Sequence, residues 1–453
     1  MDKLQRDGVD PGEMVDIAGG TVSAQVFVDR RIYEGEVTKV FPRSWLYLAH
    51  ESQFKRSGDF ITTYMGEDGV IVVQQGDGRI GAFLNSCAHR GASVCKADLG
   101  NTSVFVCPYH GWSYSTSGEL RGMPNQSSTY PDLDKAKWGL SPVPRVESYK
   151  GLVFGCFDEA APSLRDCLGD MAWYLDALVD RQEGGIEVVG GVHKIRVVGN
   201  WKLAAEQFAG DSYHTITTHS SVPGSWRDPK RAKTSYSVSE FFAQPGRQFS
   251  CRGGHGLSGF TGAVPVQSKG GTATGYSGKA VSEDFQIVAD YFTSTMGAAS
   301  KRLGLQAEHA PPDGSGLVFP NFAFLMGVNG CSSIGVFHPK GPGVFEFWRW
   351  GVVDKSASPE VKTAMIRCLH VWPVGLGDAD DGENWSSVQT RLSGPMSRQR
   401  RLNYQMSLGR ESSDPVYPGI INPSIVGEYP QREFFRRWAE LMAGDPVTLR
   451  PRS

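Results

Sequence analysis

Cysteine is scarce in this chain, with 8 residues in 453. That number is too small for a disulfide-bonded scaffold of this length. Neither sign of charge dominates either, because 46 Lys and Arg residues face 48 Asp and Glu residues, for a formal charge of −2. The chain therefore lacks the basic footprint of a protein that binds nucleic acid or an anionic membrane surface.

Long apolar runs are also missing. No run approaches the roughly 18 residues that a membrane span needs, and the N-terminal MDKLQRDGVD has no apolar signal core. We therefore expect a cytoplasmic protein with no membrane and no nucleic-acid partner. What is present, 40% hydrophobic and 21% charged residues, is typical of a globular protein long enough for two or three domains.

Two of the cysteines form a pattern with histidine. Cys87-x-His89 and Cys107-x-x-His110 are separated by seventeen residues. Two thiolates and two imidazoles are the ligand set of a Rieske [2Fe-2S] cluster. The same four side chains suit structural zinc, but zinc modules usually pair Cys with Cys and His with His, whereas each half here mixes the two. The pattern predicts an electron-accepting Rieske cluster, with a zinc knuckle as the alternative.

A β-rich block surrounds these ligands, and we place its boundaries at 40–158. Val70–Gln74 and Ile80–Asn85 flank Asp77-Gly78, a sequence that predicts a hairpin. Alternation and helical spacing predict the remaining elements. These are helices at 31–41, 162–181, 282–303 and 432–442, and strands at 103–106, 151–157, 192–198, 332–338 and 344–353.

The stretch 252–278 is rich in Gly, Ser and Thr and has no apolar period, so we predict a surface loop. It contains GHGLSG at 254–259, a formal match to the dinucleotide-binding fingerprint. That motif requires a preceding strand and a following helix, and the flanking residues predict neither. We therefore predict that the chain does not bind NADH and that electrons come from a separate reductase or ferredoxin.

A second candidate site lies in the segment 200–221, which holds Asp211, His214 and His219. Five residues correspond to about 140° around an α-helix, so the two imidazoles converge only if the helix ends or widens between them. Because a Rieske cluster only passes electrons, the long region that follows should hold an acceptor. Two histidines and a carboxylate form the facial triad of non-haem iron oxygenases. From the residues alone, the favoured interpretation of Asp211 is a surface or capping carboxylate.

Together these motifs resemble the large (alpha) subunits of Rieske non-haem iron ring-hydroxylating dioxygenases, the naphthalene and biphenyl dioxygenase type. The resemblance implies that His214 and His219 bind one Fe(II). It also implies that Asp381 of Asp-Asp-Gly-Glu-Asn-Trp supplies the carboxylate, with Asp380 and Asp378 as alternatives if the register is off and an acidic turn as the plain structural interpretation. In such a protein Asp211 bridges to His110 of the partner subunit.

The same resemblance implies an α+β fold. A Rieske domain of antiparallel β-sheets is expected, with a catalytic domain of the helix-grip (START-like) kind, an antiparallel sheet covered by helices, built from 159–453 with the arm and helix of 1–39. Electrons are expected from a ferredoxin or reductase, with NADH used only by that reductase. A small beta subunit and an alpha3beta3 or alpha3 assembly are also expected.

The implied activity is cis-dihydroxylation of an aromatic hydrocarbon, of one ring or of several, with O2. Positions similar to the family's substrate contacts are mostly apolar and include no Arg or Lys, which favours a neutral substrate. An aromatic-acid ring hydroxylase (salicylate or phenylpropionate type) is one alternative, and a non-catalytic Rieske electron carrier is another. The implied substrate-contact residues are Gln207, Phe208, Thr215 and Val371.

Overall fold

The computed structural model describes residues 10–219, 245–261, 283–311, 313–328 and 331–447. The chain divides into two compact units. The smaller unit comprises Val37–Leu164 with the residues from Asp445, and the larger unit comprises Arg165–Gly444 with the residues up to Glu36. Positions 262–278 of the predicted loop lie outside the described residues.

Every strand pairing within the described residues is antiparallel, which agrees with the predicted fold class. The strands are β1 (Val15–Asp16), β2 (Thr21–Ser23), β3 (Leu46–His50), β4 (Asp59–Met65), β5 (Asp68–Gln74), β6 (Ile80–Leu84), β7 (Leu99–Asn101), β8 (Val104–Val106), β9 (Ser113–Ser115), β10 (Leu120–Gly122), β11 (Arg145–Tyr149), β12 (Leu152–Cys156), β13 (Ile186–Val197), β14 (Gly246–Cys251), β15 (His255–Phe260), β16 (Asp313–Val318), β17 (Phe322–Val328), β18 (Cys331–Pro339), β19 (Phe345–Asp354), β20 (Arg401–Asn403) and β21 (Ile420–Asn422).

The helices lie mostly in the larger unit. They are α1 (Pro11–Met14), α2 (Gln25–Val28), α3 (Arg30–Lys39), α4 (Gln126–Thr129), α5 (Leu164–Leu168), α6 (Met171–Val179), α7 (Trp201–Gly210), α8 (Thr215–Thr218), α9 (Glu283–Leu303), α10 (Leu305–His309), α11 (Pro359–Leu369), α12 (Asp378–Leu392) and α13 (Tyr429–Met442), with a π-helical segment at His370–Gly377 and short 3-10 turns at Glu51–Gln53, Lys135–Trp138 and Ser397–Gln399.

The smaller unit is built from three antiparallel sheets with strand orders β6-β5-β4-β7, β10-β9-β8 and β11-β12-β3. The predicted hairpin is present, since β5 and β6 pair from Gln74↔Ile80 onward. Gly78 lies in this turn with φ 87°, a conformation that glycine adopts without steric cost. The centre of β5, 70–73, is fully buried and supplies part of the core of the unit.

The larger unit is organised around an eight-stranded sheet with the order β13-β19-β18-β17-β16-β15-β14-β21. Helix α7 packs against β15 to β18, and α13 packs against β14 and β15. An antiparallel sheet covered by helices is the predicted arrangement, and the α+β prediction is confirmed.

A buried polar cluster fixes the start of α7. The side chain of Asn200 caps the helix by accepting a hydrogen bond from the backbone N–H of Lys202. The Glu36 carboxylate accepts hydrogen bonds from Trp201 Nε1 at 2.9 Å and Trp438 Nε1 at 2.8 Å, and it pairs with the ammonium group of Lys202. Glu36 and Lys202 are both fully buried, so each charge depends on the other.

The predicted surface loop is wrong for its first part. His255–Phe260 is a strand with every residue buried, and it pairs with β14 and β16. Its glycines interrupt the apolar period. Packing requires Gly256, because a Cβ there would lie 2.3 Å from the backbone oxygen of Ala209 in α7. The missing side chain is what lets the helix approach the sheet.

Two other elements differ from the sequence predictions. The helix predicted at 162–181 is split into α5 and α6 at Gly169, whose φ of 48° cannot continue a right-handed helix. The acidic segment that has an acidic turn as its plain interpretation is the first turn of α12, which follows directly from the π-helical residues. Both differences depend on backbone geometry, which hydrophobic periodicity does not indicate.

Candidate metal centres and substrate cavity

The two predicted ligand pairs sit on two similar turns of the smaller unit. Cys87 N–H donates to Ala92 O and Gly91 N–H donates to Cys87 O, both at 2.8 Å. The second turn repeats this pattern: Cys107 N–H donates to Trp112 O at 2.8 Å and Gly111 N–H donates to Cys107 O at 3.0 Å. Gly91 and Gly111 have φ values of 74° and 73°, so both turns need a residue that tolerates the left-handed region.

These turns bring the four predicted cluster ligands together. The Cys87 and Cys107 side chains are buried, with 4% and 1% exposure, whereas both histidines are half-buried. The rings of His89 and His110 have centroids 4.6 Å apart. Tyr114 places its hydroxyl 3.1 Å from the Cys87 sulfur. Two buried thiols beside two outward imidazoles suit a cluster with one inner and one outer iron.

The awkward spacing of His214 and His219 is resolved by the end of a helix. Helix α7 stops at Gly210, and Asp211 has an extended conformation. His214 is then the N-cap and His219 the C-cap of the four-residue helix α8, which brings their ring centroids to 5.2 Å. The five-residue spacing of the two histidines needs a helix that ends or widens. Here the helix ends before the first histidine.

Asp381 completes this group. Its Oδ1 lies 3.5 Å from His214 Nε2 and 3.5 Å from His219 Nε2. One ligand atom from each of the three residues lies within 4.8 Å of the other two. Asp381 is 6% exposed, and its Oδ1 has no hydrogen-bond partner among the described residues. A buried anionic oxygen that faces two imidazole nitrogens fits a divalent metal ion.

Carboxylates also face the outer nitrogens of both histidines. Asp211 Oδ2 lies 3.3 Å from His214 Nδ1, and Asp380 Oδ2 lies 3.5 Å from His219 Nδ1. Carboxylates in this position orient imidazole ligands and make them stronger donors. Burial lowers the pKa of His214, but Asp211 and Asp381 more than offset it and raise the pKa to about 9. The carboxylates of Asp211 and Asp381 therefore place negative charge on both sides of the His214 ring.

The acidic residues near Asp381 have different surroundings. Asp380 faces His219 Nδ1, and Asp378 accepts hydrogen bonds from Arg349 Nε and Nη2 at 3.0 and 2.5 Å. Burial raises the pKa of Asp378 to about 6 despite this pairing. Of the register alternatives, Asp381 alone directs an oxygen to both Nε2 atoms in the described structure.

Gln207 extends the group from the last turn of α7. Its Nε2 lies 3.3 Å from His214 Nε2, and its Oε1 accepts a hydrogen bond of 2.8 Å from Trp385 Nε1. Since Trp385 fixes which end of the amide is the oxygen, the NH2 group points to the metal-binding face of the histidine. Trp385 is therefore a positioning residue that the sequence analysis did not identify.

A cavity of about 130 Å³ opens beside the three ligands. Its size is close to the roughly 150 Å³ apolar cavity known to accept benzene. Three of the four predicted contact residues, Gln207, Phe208 and Thr215, line it. Val371 does not, because it lies on the π-helical segment with 45% of its surface exposed, so we do not retain it as a substrate contact.

The cavity wall also contains a basic residue, contrary to the expectation from the four predicted contacts. Arg349 is 2% exposed and lines the cavity while paired with Asp378 and Ser333. Residues from β15, β16, β17 and β19 line it too. No local sequence signal could have identified these residues, because they meet only through the pairing of distant strands.

Two family models match the chain. The Rieske [2Fe-2S] domain matches residues 44–149, and the ring hydroxylating alpha subunit (catalytic domain) matches residues 166–444. The second match covers more than half of the chain. The chain belongs to the ring-hydroxylating alpha-subunit family. The two matched regions carry the four cluster ligands and the His214, His219 and Asp381 group respectively.

Relatives of this alpha subunit cover almost its full length. The benzene 1,2-dioxygenase subunit alpha of Pseudomonas putida is 38% identical over 442 residues, which is 95% of this chain and 92% of the relative. The biphenyl 2,3-dioxygenase subunit alpha of Rhodococcus jostii (strain RHA1) is 38% identical over 96% of this chain and 91% of its own.

A solved structure extends the likeness to the fold. A naphthalene 1,2-dioxygenase mutant bound to phenanthrene superposes with a TM-score of 0.84 at 31% identity, covering 96% of this chain and 95% of the other. The alpha subunit is thus an oxidoreductase that carries a Rieske cluster and a mononuclear iron. Within its described residues, no helix combines the length and apolarity needed to cross a membrane.

Proposed function

We propose that this alpha subunit is the terminal oxygenase that converts a neutral arene to a cis-dihydrodiol. The reaction combines the arene with O2, two electrons and two protons, and it breaks the aromatic double bond between the two hydroxylated carbons. The observation that carries the proposal is the group of His214, His219 and Asp381 beside a cavity of about 130 Å³.

Cys87, His89, Cys107 and His110 are assigned to the cluster, and His214, His219 and Asp381 to the single iron. When bound, this iron would supply the site at which O2 is activated next to the ring. The residues of the chain provide geometry and access. Phe208 and Phe260 are almost fully buried in the cavity wall, where they offer flat apolar contacts for an arene and exclude water.

Asp211 is assigned to electron transfer. Its Oδ1 accepts hydrogen bonds from the backbone N–H groups of Tyr213 at 2.8 Å and His214 at 3.2 Å, while Oδ2 faces His214 Nδ1. The Asp211 carboxylate therefore contacts the iron ligand His214 directly. The proposed bridge from Asp211 to His110 of the partner subunit would link this iron ligand to a cluster.

The proposed division of labour follows the sequence prediction, with 40–158 for the cluster and 1–39 together with 159–453 for catalysis. Electrons would come from a ferredoxin or reductase, and NADH would bind only to the reductase. A small beta subunit, an alpha3beta3 or alpha3 assembly and a cytoplasmic location complete the proposal. The relatives support the multi-component system, since one is named the large oxygenase component of a naphthalene 1,2-dioxygenase system.

Metal counting combined with product analysis tests the function. Loaded protein should contain about three irons per two acid-labile sulfides, and a pure electron carrier should contain about two. His214→Ala should lower the count to about two and eliminate diol formation, while the control His309→Ala, a half-buried histidine outside the group, should leave both unchanged. Three irons per two sulfides in His214→Ala would refute the assignment, and colourless sulfide-free protein would favour zinc.

A further inference from the structure

Four directly paired residues form a row across the neighbouring strands β15, β16, β17 and β18, next to the cavity. Strand pairing aligns Ser258 of β15 with Ser315 of β16, Ser315 with Leu325 of β17, and Leu325 with Ser333 of β18. Directly paired residues share one face of a sheet. Ser258, Ser315 and Leu325 line the cavity. The sheet therefore gives the cavity a floor in which Ser258 and Ser315 lie beside Leu325, so the floor is partly polar rather than uniformly apolar.

Two of the three serines in this row are already hydrogen-bonded. Ser258 Oγ lies 2.8 Å from Ser212 Oγ, and Ser333 Oγ accepts a hydrogen bond of 2.7 Å from Arg349 Nη1. Ser315 differs. It is half-buried, and its hydroxyl has no hydrogen-bond partner within the part of the chain that the structure describes. A donor is thus available on the cavity floor.

The hydrogen-bond partner of the Ser315 hydroxyl depends on which substrate is bound. In the free protein, water can satisfy the hydroxyl of Ser315. An arene that enters the cavity displaces this water, and a plain hydrocarbon leaves the hydroxyl unpaired. An oxygen atom on the ring substituent restores the lost hydrogen bond. Sites that contain an unpaired donor discriminate against ligands that cannot pair with it.

The charge of the wall restricts which oxygen is suitable. Arg349 and Asp378 are 2% and 5% exposed, and the guanidinium donates two hydrogen bonds to the carboxylate. The arginine charge is therefore neutralised within the protein. A substrate carboxylate would find no uncompensated cation at this pair and would lie near the Asp378 anion, so a neutral oxygen fits better.

We propose that Ser315 makes the cavity selective for arenes that carry a neutral oxygen substituent, such as an aryl ketone. The inference deepens the proposed function and rests on the same cavity. It differs from the expectation of a plain hydrocarbon because Ser315 and Arg349 were not identifiable from the sequence. Ser315 is a specificity residue in this proposal and has no role in the oxidation itself.

Cumene, acetophenone and benzoate test the proposal because each differs from the previous one by exchange of a methyl group for oxygen. Their Kd values are measured by calorimetry on metal-loaded protein without O2, so turnover is not needed. Ser315→Ala should weaken acetophenone binding about fivefold, the equivalent of one ordinary hydrogen bond, and leave cumene binding unchanged or tighter. Wild-type protein should bind benzoate at least about tenfold more weakly than acetophenone.

Ser332→Ala is the matched control. Ser332 is the neighbour of Ser333 on β18 and faces the opposite side of the sheet, where its Oγ accepts from Gly327 N–H at 3.3 Å. The ratio of the acetophenone and cumene Kd values should stay at the wild-type value in this variant. An unchanged ratio in Ser315→Ala overturns the proposal, and so does a ratio that changes in Thr215→Val instead. Tight benzoate binding overturns the preference for a neutral group.

This binding result is independent of the oxygenase assignment. If the ratio changes as expected but loaded enzyme forms no diol from any arene, the proposed function fails and the recognition by Ser315 stands. If diols form and the ratio does not change, the function stands and the recognition fails.

Discussion

The two candidate metal centres use histidine in opposite ways. In the smaller unit, His89 and His110 are half-buried and accompany two buried thiols on two turns of nearly the same geometry. In the larger unit, each histidine is placed between carboxylates, with Asp381 on the inner side of both. Thiolates and outward imidazoles suit the storage of one electron, whereas an anionic pocket suits a divalent ion with open positions.

The difference also concerns how each centre is held. Local turns position the cluster ligands, so a few backbone hydrogen bonds define that site. The mononuclear group depends on the end of α7, on the first turn of α12 and on the buried cluster at Glu36. We therefore expect substitutions far from the metal to disturb the mononuclear centre more than the cluster.

The largest effect is expected for Asp211→Ala. The proposed bridge would lose its carboxylate, and turnover should fall by at least about a thousandfold, while the cluster keeps its full iron. Because Asp211 also faces His214 Nδ1, the affinity for the mononuclear iron should fall by roughly 10- to 100-fold. Single-turnover assays on protein reloaded with excess Fe(II) separate the two losses. Full product formation after reloading would contradict the assigned role.

Glu36→Gln should destabilise the larger unit by about 3–5 kcal/mol, since it leaves the buried ammonium group of Lys202 without its anion. Denaturant unfolding followed by tryptophan fluorescence measures this loss, and the visible absorption of the cluster reports separately on the smaller unit. The control Glu308→Gln removes a carboxylate that is 70% exposed and should cost less than about 0.5 kcal/mol. If the fluorescence and the cluster absorption showed equal losses of stability, the two centres would not differ in their dependence on distant residues.

The pH dependence of stability should also differ between the units, because of His255. Burial lowers the pKa of this histidine to about 4, and its ring is held by Cys167 O at 2.9 Å and by Phe319 N–H at 2.9 Å. The unfolded histidine binds its proton near pH 6.5. The stabilisation of about 3 kcal/mol is therefore complete above pH 6.5 and is lost as the pH falls to about 4.

Unfolding of the larger unit at pH 7, 5.5 and 4.5 tests this expectation. In His255→Gln the slope between pH 6.5 and 4 should flatten, whereas His309→Gln, which changes a half-buried histidine, should retain it. A wild-type slope in the His255 variant would mean that other groups control the transition.

The same contrast explains how much could be predicted from sequence. The cluster ligands lie within 24 residues, 87–110, so one motif contains the whole site. Asp381 follows His219 by 162 residues, and it was chosen only through the family motif. Arg349 and Ser315 could not be predicted at all, because strand register brings them to the cavity. The fold class followed from the resemblance to the family, whereas alternation and turn residues predicted individual strands. Strand β15 was missed because its glycines interrupt the apolar pattern.

The smallest expected effect concerns the cluster and its contact with the Tyr114 hydroxyl. Tyr114 is fully buried, and its hydroxyl lies 3.1 Å from Cys87 Sγ and accepts from Ala88 N–H at 3.2 Å. A hydrogen bond to a ligand sulfur stabilises the reduced cluster. Tyr114→Phe should lower the reduction potential by on the order of 40 mV, the equivalent of about 1 kcal/mol in a one-electron step.

Tyr130→Phe is the matched control for this variant. Tyr130 packs edge-on against Trp112 in the same core, with ring centroids 5.8 Å apart, and among the described residues its hydroxyl makes no hydrogen bond to either cysteine. A redox titration of both variants should therefore show the shift in Tyr114→Phe alone. The iron count of the larger unit should stay the same in both, because the hydroxyl acts on a thiolate and the mononuclear centre has none. Equal shifts would mean that ring packing, not the sulfur contact, sets the potential.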